Sequence, residues 1–351
     1  MTLAELGYTG NPSEYRSEGF SIGRVTQEHR ERYVVYDGQS DFDCEITGNL
    51  RFTADSRADF PAVGDWVKIN VYDSTMGIIH QVLPRKSVLE RQAVGKYGEK
   101  QIISANIDVA LIIQSIDINF NLNRLERYLT ICYSSSIEPV LVISKIDLAT
   151  EGKIESALKD LDIREKKVKT ILMSNISLKG LDEILNLLQK SKTYCVIGSS
   201  GVGKSTLINN LLKKNILRTG SISDSTNKGR HITSHRELFV LDNGAIIIDT
   251  PGMKELGIIE NEVGIRTTFE EIYNLSLKCK FPDCTHTVES GCAILEAIDK
   301  GAIDNGTVAN FRKIQREQMR FQTSVAEKRK KEREFGKMAK EIMKEKKKNK
   351  F

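Results

Sequence analysis

One stretch constrains this chain more than any other. Gly198, Ser199, Ser200, Gly201, Val202, Gly203, Lys204, Ser205 and Thr206 fit the pattern G-x-x-x-x-G-K-[ST]. An apolar run at 194–197 precedes it and a helix-like run at 206–212 follows. That strand–loop–helix setting is the one in which such a loop cradles a phosphate chain. Its glycines let successive backbone N–H groups turn toward the phosphates, and the helix N-terminus adds positive potential. Lys204 then reaches the β- and γ-phosphates, and Ser205 holds Mg²⁺.

The surrounding grammar agrees. Strand-like runs at 107–113, 139–143, 168–173, 237–241 and 245–248 accompany helical patterns at 122–132, 154–161 and 181–189. Continuous β-branched strands alternating with amphipathic helices indicate a mostly parallel α/β sheet covered on both faces.

Other loops of a nucleotide site lie out of their usual order. Asp249, Thr250, Pro251 and Gly252 end an apolar strand. Asp249 is placed as a carboxylate that holds Mg²⁺ through water, with the Gly252 N–H facing the γ-phosphate. Upstream, Ser144, Lys145, Ile146 and Asp147 resemble the N-K-x-D base-recognition motif of GTPases. A carboxylate there accepts from the guanine N1–H and 2-amino groups and rejects adenine. Asp147 matches that role, and the Lys145 stem packs over the base. Ser144 stands where Asn is usual, and a hydroxyl there can still bond to the phosphate loop. Ser174 resembles the Ser-Ala loop that meets guanine O6 through backbone N–H, with Asn175 in place of the Ala. Between the phosphate loop and Asp249, the segment 229–234 is the place for a switch threonine that completes the Mg²⁺ shell. Thr233 is the choice, with Ser234 and Thr226 as alternatives. Met253 occupies the position of the Gln that often orients the attacking water, so His231 is assigned to position water or to act as acid/base. Base loops first, phosphate loop second, is a circular permutation of the ordinary GTPase order.

The flanks carry different chemistry. Short strand-like runs at 20–25, 33–36, 42–46, 66–71 and 77–82 suggest a small barrel over 16–85, with the OB-fold as the leading option. Such barrels often bind oligonucleotides, and Arg16, Arg24, Arg30, Arg32, Arg51, Arg57 and Lys68 are available as phosphate contacts. Trp66 is read as core. Residues 1–15 read as a loose leader and 86–106 as a polar linker before the nucleotide domain at 107–260. Cys279, Cys284, His286 and Cys292 read C-x(4)-C-x-H-x(5)-C, a closed donor set suited to one structural Zn²⁺. Helices are expected at 266–275 and 292–300, within a zinc-binding domain over 261–323.

Charge is uneven. The net charge of +5 hides a tail, 324–351, with 12 Lys/Arg against 5 Asp/Glu. A basic helical tail suits an anionic partner such as RNA. No long apolar run predicts a membrane span and no secretory leader is visible, so a cytoplasmic chain with reduced thiols is expected.

Taken together, 198–206, Gly229-Arg230-His231, Asp249–Gly252 and the Cys279/Cys284/His286/Cys292 knuckle resemble the ribosome small subunit-dependent GTPase A (RsgA) family, over about residues 16–300. The resemblance implies an OB-fold barrel, a central circularly permuted P-loop GTPase domain and a C-terminal helical zinc domain. It also implies a late factor in maturation of the 30S ribosomal subunit and its 16S rRNA, held by the two flanking domains. GTP hydrolysis to GDP, stimulated by the subunit, would release it. Departures are Ser144, Ile232 within the usual run of threonines, and the long basic tail. The chain is expected to act as a monomer. Two other readings stay open: an RNA-binding P-loop ATPase, and a non-hydrolysing, nucleotide-switched rRNA-binding protein.

Overall fold

The computed structural model describes residues 1–16, 19–29, 32–54, 56–92, 100–117, 120–165, 167–217, 236–250, 262–323 and 325. Arg30, Thr226, His231, Thr233, Ser234, Gly252, Met253 and the tail from 326 onward lie outside them.

The barrel follows from alternation. After a single helical turn, α1 (Ser13–Arg16), come β1 (Ser21–His29), β2 (Arg32–Tyr36), β3 (Asp41–Ile46), the short helix α2 (Gly48–Thr53), β4 (Trp66–Val71) and β5 (Met76–Val82). In β3, Phe42, Cys44 and Ile46 are buried while Asp41, Asp43 and Glu45 are exposed, the period-two pattern of a half-buried strand. The strands run in the order β1-β2-β3-β5-β4, and β4 pairs back onto β1 to close the barrel. Only β3 and β5 pair in parallel. Val25, Val35, Val67, Ile69 and Ile79 fill the interior. Trp66 is buried, as expected, beneath the guanidinium of Arg24, whose carbon lies 5.2 Å from the ring centroid.

Arg24 is not a surface phosphate contact. It is 1% exposed. Its guanidinium donates to the Leu6 carbonyl (2.5 Å), the Gly64 carbonyl (3.3 Å), the Asn106 carbonyl (3.4 Å) and Thr193 Oγ1 (2.8 Å). A buried guanidinium is tolerated only with its donors engaged. Here they join the N-terminal segment, the barrel and the nucleotide sheet. The first fifteen residues are accordingly not loose: Leu6 is 1% exposed within the main core. The expected linker also has structure of its own. β6 (Val88–Gln92) and β7 (Lys100–Ala105) form an antiparallel ribbon, tied to the barrel by Ala105 N–H donating to the Val63 carbonyl at 3.0 Å.

The central domain comprises β8 (Val109–Ser115), α3 (Leu122–Ser134), β9 (Glu138–Ser144), α4 (Glu151–Arg164), β10 (Lys169–Leu172), α5 (Leu181–Leu187), β11 (Thr193–Gly198), α6 (Lys204–Leu212), β12 (Arg236–Val240) and β13 (Ile246–Asp249). Every residue of β8 and β11 is buried, as a two-faced sheet requires. Val109, Leu111 and Ile113 pack on the face that holds Leu207 and Ile208 of α6. Ala110 and Ile112 point to the opposite face, with Leu125 and Leu129 of α3. The sheet order is β10-β9-β8-β11-β13-β12, parallel except for the β12–β13 pair. The phosphate-loop strand, late in the chain, is thus central in space, which is the permuted order.

The two sheets are joined. β1 runs on beyond the expected 20–25, past a bulge between Val25 and Gln27, and pairs with β12 through Gln27↔Glu237 and Glu28↔Arg236. Arg236 Nη1 contacts Glu28 Oε2 at 2.9 Å and Gln27 Nε2 donates to Glu237 Oε1 at 2.7 Å. Eleven strands form one hydrogen-bonded sheet.

The C-terminal domain is helical: α7 (Glu262–Thr268), α8 (Glu270–Ser276), α9 (Ala293–Asp299) and α10 over 305–323. The expected single helix at 266–275 is two helices broken at Phe269, whose buried ring packs edge-on against Phe311 at 5.4 Å. α7 crosses α3 closely at Gly264, where a Cβ would lie 2.0 Å from Ser134 Oγ. Polar contacts dock α10 onto α3 and α4. Arg127 forks onto Glu317 with two contacts of 2.7 Å, Asn310 Nδ2 donates to Glu126 Oε2 at 2.5 Å, and Arg164 meets Asp304 at 2.7 Å. Among the described residues, no helix is long and apolar enough to cross a membrane.

Candidate nucleotide site and metal centre

The carboxyl ends of β9, β11 and β13 and the loop after β10 bring Ser144–Asp147, Ser174, the phosphate loop and Asp249 to one edge of the sheet, where open α/β sheets bind ligands. Gly198 ends β11 with φ +149°, and a Cβ there would sit 2.3 Å from the Ile113 carbonyl oxygen. Only glycine lets the loop leave the strand pressed against β8. Lys204, at the start of α6, folds back so that Nζ donates to the carbonyls of Gly198 (2.9 Å) and Ser199 (2.6 Å). Ser205 and Thr206 follow in the first helical turn, half-buried.

Asp249 is 3% exposed at the end of β13. Burial pushes its carboxyl up to about 6, and Glu237 adds to the rise, while Lys204 opposes it. Glu237 is its direct cross-strand partner. A buried carboxylate facing a lysine across a phosphate loop suits the capture of a cation. Thr250 Oγ1 donates to the Val196 carbonyl at 2.7 Å.

The candidate base loops, 144–147 and the one at 174, follow β9 and β10. Ser144 is buried, and its Oγ donates to the Val202 carbonyl at 2.7 Å, with the Gln114 carbonyl at 3.3 Å. Lys145 adopts a left-handed backbone (φ 59°), and its Nζ pairs with Asp117 Oδ2 at 3.0 Å. Asp147 is exposed in a one-turn helix, Ile146–Leu148, with its carboxylate at the surface. Ser174 is buried; its Oγ accepts from the N–H groups of Ile176 (3.2 Å) and Ser177 (3.1 Å) and so bends the loop. Asn175 Nδ2 donates to the Gly203 carbonyl at 3.0 Å.

Three side chains at this site escaped sequence reasoning. Asp117 steadies Lys145. Arg124 donates from Nη1 to Ser199 Oγ at 2.8 Å, a cation from α3 against the phosphate loop. Asn175, noticed only as a departure from a pattern, bonds the phosphate loop directly. Each acts across a sequence gap that local spacing does not register. His231, Thr233 and Gly252 lie outside the described residues.

At the C-terminal knuckle, Cys279, Cys284, His286 and Cys292 place one donor atom each within 4.8 Å of one another. His286 Nδ1 lies 3.5 Å from Cys279 Sγ and 3.6 Å from Cys292 Sγ, and the two sulfurs are 3.9 Å apart. Three thiols and an imidazole converging in this way could hold a metal ion. Burial, with Arg312 nearby, holds His286 below the usual imidazole range, which favours the neutral ligand form. Glu289 organises the loop: its carboxylate accepts from the N–H groups of Thr285 (2.8 Å), Thr287 (2.7 Å) and Val288 (3.0 Å). Cys44, Cys132 and Cys195 are buried free thiols.

Comparison with known proteins places this geometry. The RsgA GTPase family profile matches residues 82–259. A curated relative from Lactiplantibacillus plantarum, "Small ribosomal subunit biogenesis GTPase RsgA 2", is 43% identical over 303 residues, covering 86% of this chain and 84% of its own. Another from Opitutus terrae, "Small ribosomal subunit biogenesis GTPase RsgA", is 37% identical over 334 residues, covering 91% and 90%. Among solved structures, YjeQ from Thermotoga maritima superposes with a TM-score of 0.62 at 24% identity, covering 86% of this chain and 99% of that one. "YloQ, a circularly permuted GTPase" gives 0.58 at 22% identity, covering 88% and 96%. These two likenesses concern the fold. The profile match over half of the chain and the curated relatives at 43% and 37% identity show that the chain belongs to the RsgA GTPase family.

Proposed function

We propose that this chain is a GTPase of small ribosomal subunit biogenesis, binding the 30S subunit and its 16S rRNA and leaving after GTP is hydrolysed to GDP. The observation that carries the reading is the convergence of one phosphate loop and two base loops on a single sheet edge, Lys204 at one end and exposed Asp147 at the other. Asp147 accepts from the guanine N1–H and 2-amino groups, Lys145 covers the base, and the loop after Ser174 offers N–H groups to O6. Backbone N–H groups of 198–206 and Lys204 hold the phosphates, and Gly252 approaches the γ-phosphate. Ser205, Thr233 and Asp249 are the residues that would hold Mg²⁺, which would supply positive charge to the phosphate chain. His231 orients the attacking water. Unstimulated turnover is slow, and the subunit supplies the stimulation.

The metal at the knuckle is Zn²⁺ in this reading. A tetrahedral Zn²⁺ with bonds of about 2.3 Å to sulfur and about 2.0–2.1 Å to nitrogen spaces its donors by roughly 3.8 Å (S to S) and 3.6 Å (S to N). The spacings among Cys279, His286 and Cys292, 3.9 Å and 3.5–3.6 Å, fit such an ion, and Cys284 lies within 4.8 Å of the other donors. All four positions belong to the protein, so the ion is structural. The barrel and the zinc domain flank the nucleotide site and bear on rRNA, and the basic tail adds phosphate contacts. The protein acts as a cytoplasmic monomer. Two measurements together test this. GTP but not ATP should displace bound fluorescent GDP, and the protein should cosediment with 30S subunits in a non-hydrolysable GTP analogue but not in GDP. Equal displacement by ATP would favour a P-loop ATPase. Nucleotide-independent sedimentation would remove the release switch.

A further inference from the structure

We propose that Asn175 is a positioning residue for nucleotide binding: it ties the loop after β10 to the phosphate loop and shares that task with Ser144. The proposal rests on reading 144–147 and 174 as the base-facing loops.

Val202 and Gly203 are the last two residues of the phosphate loop before α6 begins at Lys204. Their consecutive carbonyls are each taken by a side chain from a different base loop. Ser144 Oγ donates to Val202 O at 2.7 Å, and Asn175 Nδ2 donates to Gly203 O at 3.0 Å. In a trans peptide the C=O of one residue and the N–H of the next point in opposite directions. Holding the Val202 carbonyl therefore aims the Gly203 N–H, and Asn175, together with Leu207 N–H of α6 (2.9 Å), holds the Gly203 carbonyl and so aims the Lys204 N–H. Those are N–H groups a phosphate-binding loop must direct inward.

Neither tie is enough alone. Ser144 has one hydroxyl proton, and two carbonyls lie within its reach: Val202 and, at 3.3 Å, Gln114. An amide at the same position would carry two donors. Asn175 supplies the missing one from the neighbouring loop. It is itself anchored, since Asn210 of α6 donates from Nδ2 to both the carbonyl and Oδ1 of Asn175, at 3.2 Å each. Asn175 Oδ1 is thereby engaged, which turns Nδ2 toward Gly203. Base loop, phosphate loop and α6 form one polar circuit, so the grip on the base and the grip on the phosphates are coupled.

The test is equilibrium binding and release of mant-GDP, with thermal unfolding of the nucleotide-free proteins as a control for folding. Asn175→Ala should bind about three- to tenfold more weakly, the expected worth of one shielded hydrogen bond; Gly203 O keeps its α6 bond from Leu207 N–H and loses only its tie to the base loop. Most of the loss should appear as faster release. Adding Ser144→Asn to that variant restores a second amide donor and should bring affinity back to within about threefold of the wild type. Affinity unchanged in Asn175→Ala overturns the proposal. So does a loss that tracks a lowered Tm and that Ser144→Asn does not repair, because that marks a packing role. If the wild type itself fails to bind mant-GDP, the base-loop reading falls with it, and the two failures are distinct.

Discussion

Glu165 offers a sharp electrostatic prediction. It caps the end of α4, and its Oε1 is buried with no hydrogen-bond partner. Burial pushes its carboxyl up to about 8, with a further rise from Glu126 and only partial relief from Arg164. Glu126, itself fully buried and bonded to Asn310 of α10, is pushed up to about 7 by the same cause. The consequence for stability has a definite sign. Below pH 4.5, folded and unfolded chains both keep the Glu165 proton, and nothing is lost. Between 4.5 and about 8 the unfolded chain releases the proton and the folded one retains it, so stability falls as pH rises. Above 8 the whole cost is present. At pH 7 a carboxyl moved from 4.5 to about 8 costs at most about 3.4 kcal/mol. Relaxation of the site brings the expected cost to about 1.5–2 kcal/mol. Glu165→Gln keeps the shape and removes the charge. Its Tm should exceed that of the wild type by about 2–3 °C at pH 8 and by little at pH 5, giving a flatter profile. The assay is differential scanning calorimetry of both proteins from pH 5 to 8.5, with the difference isolating this residue from other titrating groups. Parallel pH profiles, or a variant less stable than the wild type at pH 8, would refute the reasoning.

Other outcomes follow from the sites. Asp147→Asn should lower GTP affinity at least about a hundredfold and gain affinity for XTP, whose 2-oxo group can accept from an amide; competition against mant-GDP measures both. A variant with undiminished GTP preference would place base recognition elsewhere. Purified protein should carry one zinc per chain, and a strong chelator should open 279–292 to protease while leaving mant-GDP binding intact. A metal-free, protease-resistant knuckle would contradict a structural zinc.

What the sequence made legible, and what it did not, divides by the range of the interactions. The phosphate loop and the Cys279–Cys292 knuckle are local spacings whose chemistry is nearly complete within a dozen residues, and the α/β alternation reports burial strand by strand. The barrel was readable from β3, where period two is clean. Longer-range features were not. Pairing of β1 with β12 joins residues about two hundred positions apart, and no local pattern announces it. Arg24 looked like surface charge because its partners, Leu6, Asn106 and Thr193, are brought together only by the fold. Residues 86–106 read as a linker because their polar composition masks a ribbon. The helix expected at 266–275 breaks at Phe269, where burying the aromatic ring against Phe311 outweighs helix continuity.

The most direct measurement is GTP hydrolysis by the wild type and by Lys204→Ala, each with and without purified 30S subunits. Slow turnover alone and stimulation of at least about tenfold by the subunit are expected of the wild type and neither of the variant, since loss of the phosphate-loop lysine removes both binding and charge stabilisation. Wild-type hydrolysis that is indifferent to 30S subunits, or a Lys204→Ala protein that is stimulated normally, would contradict this.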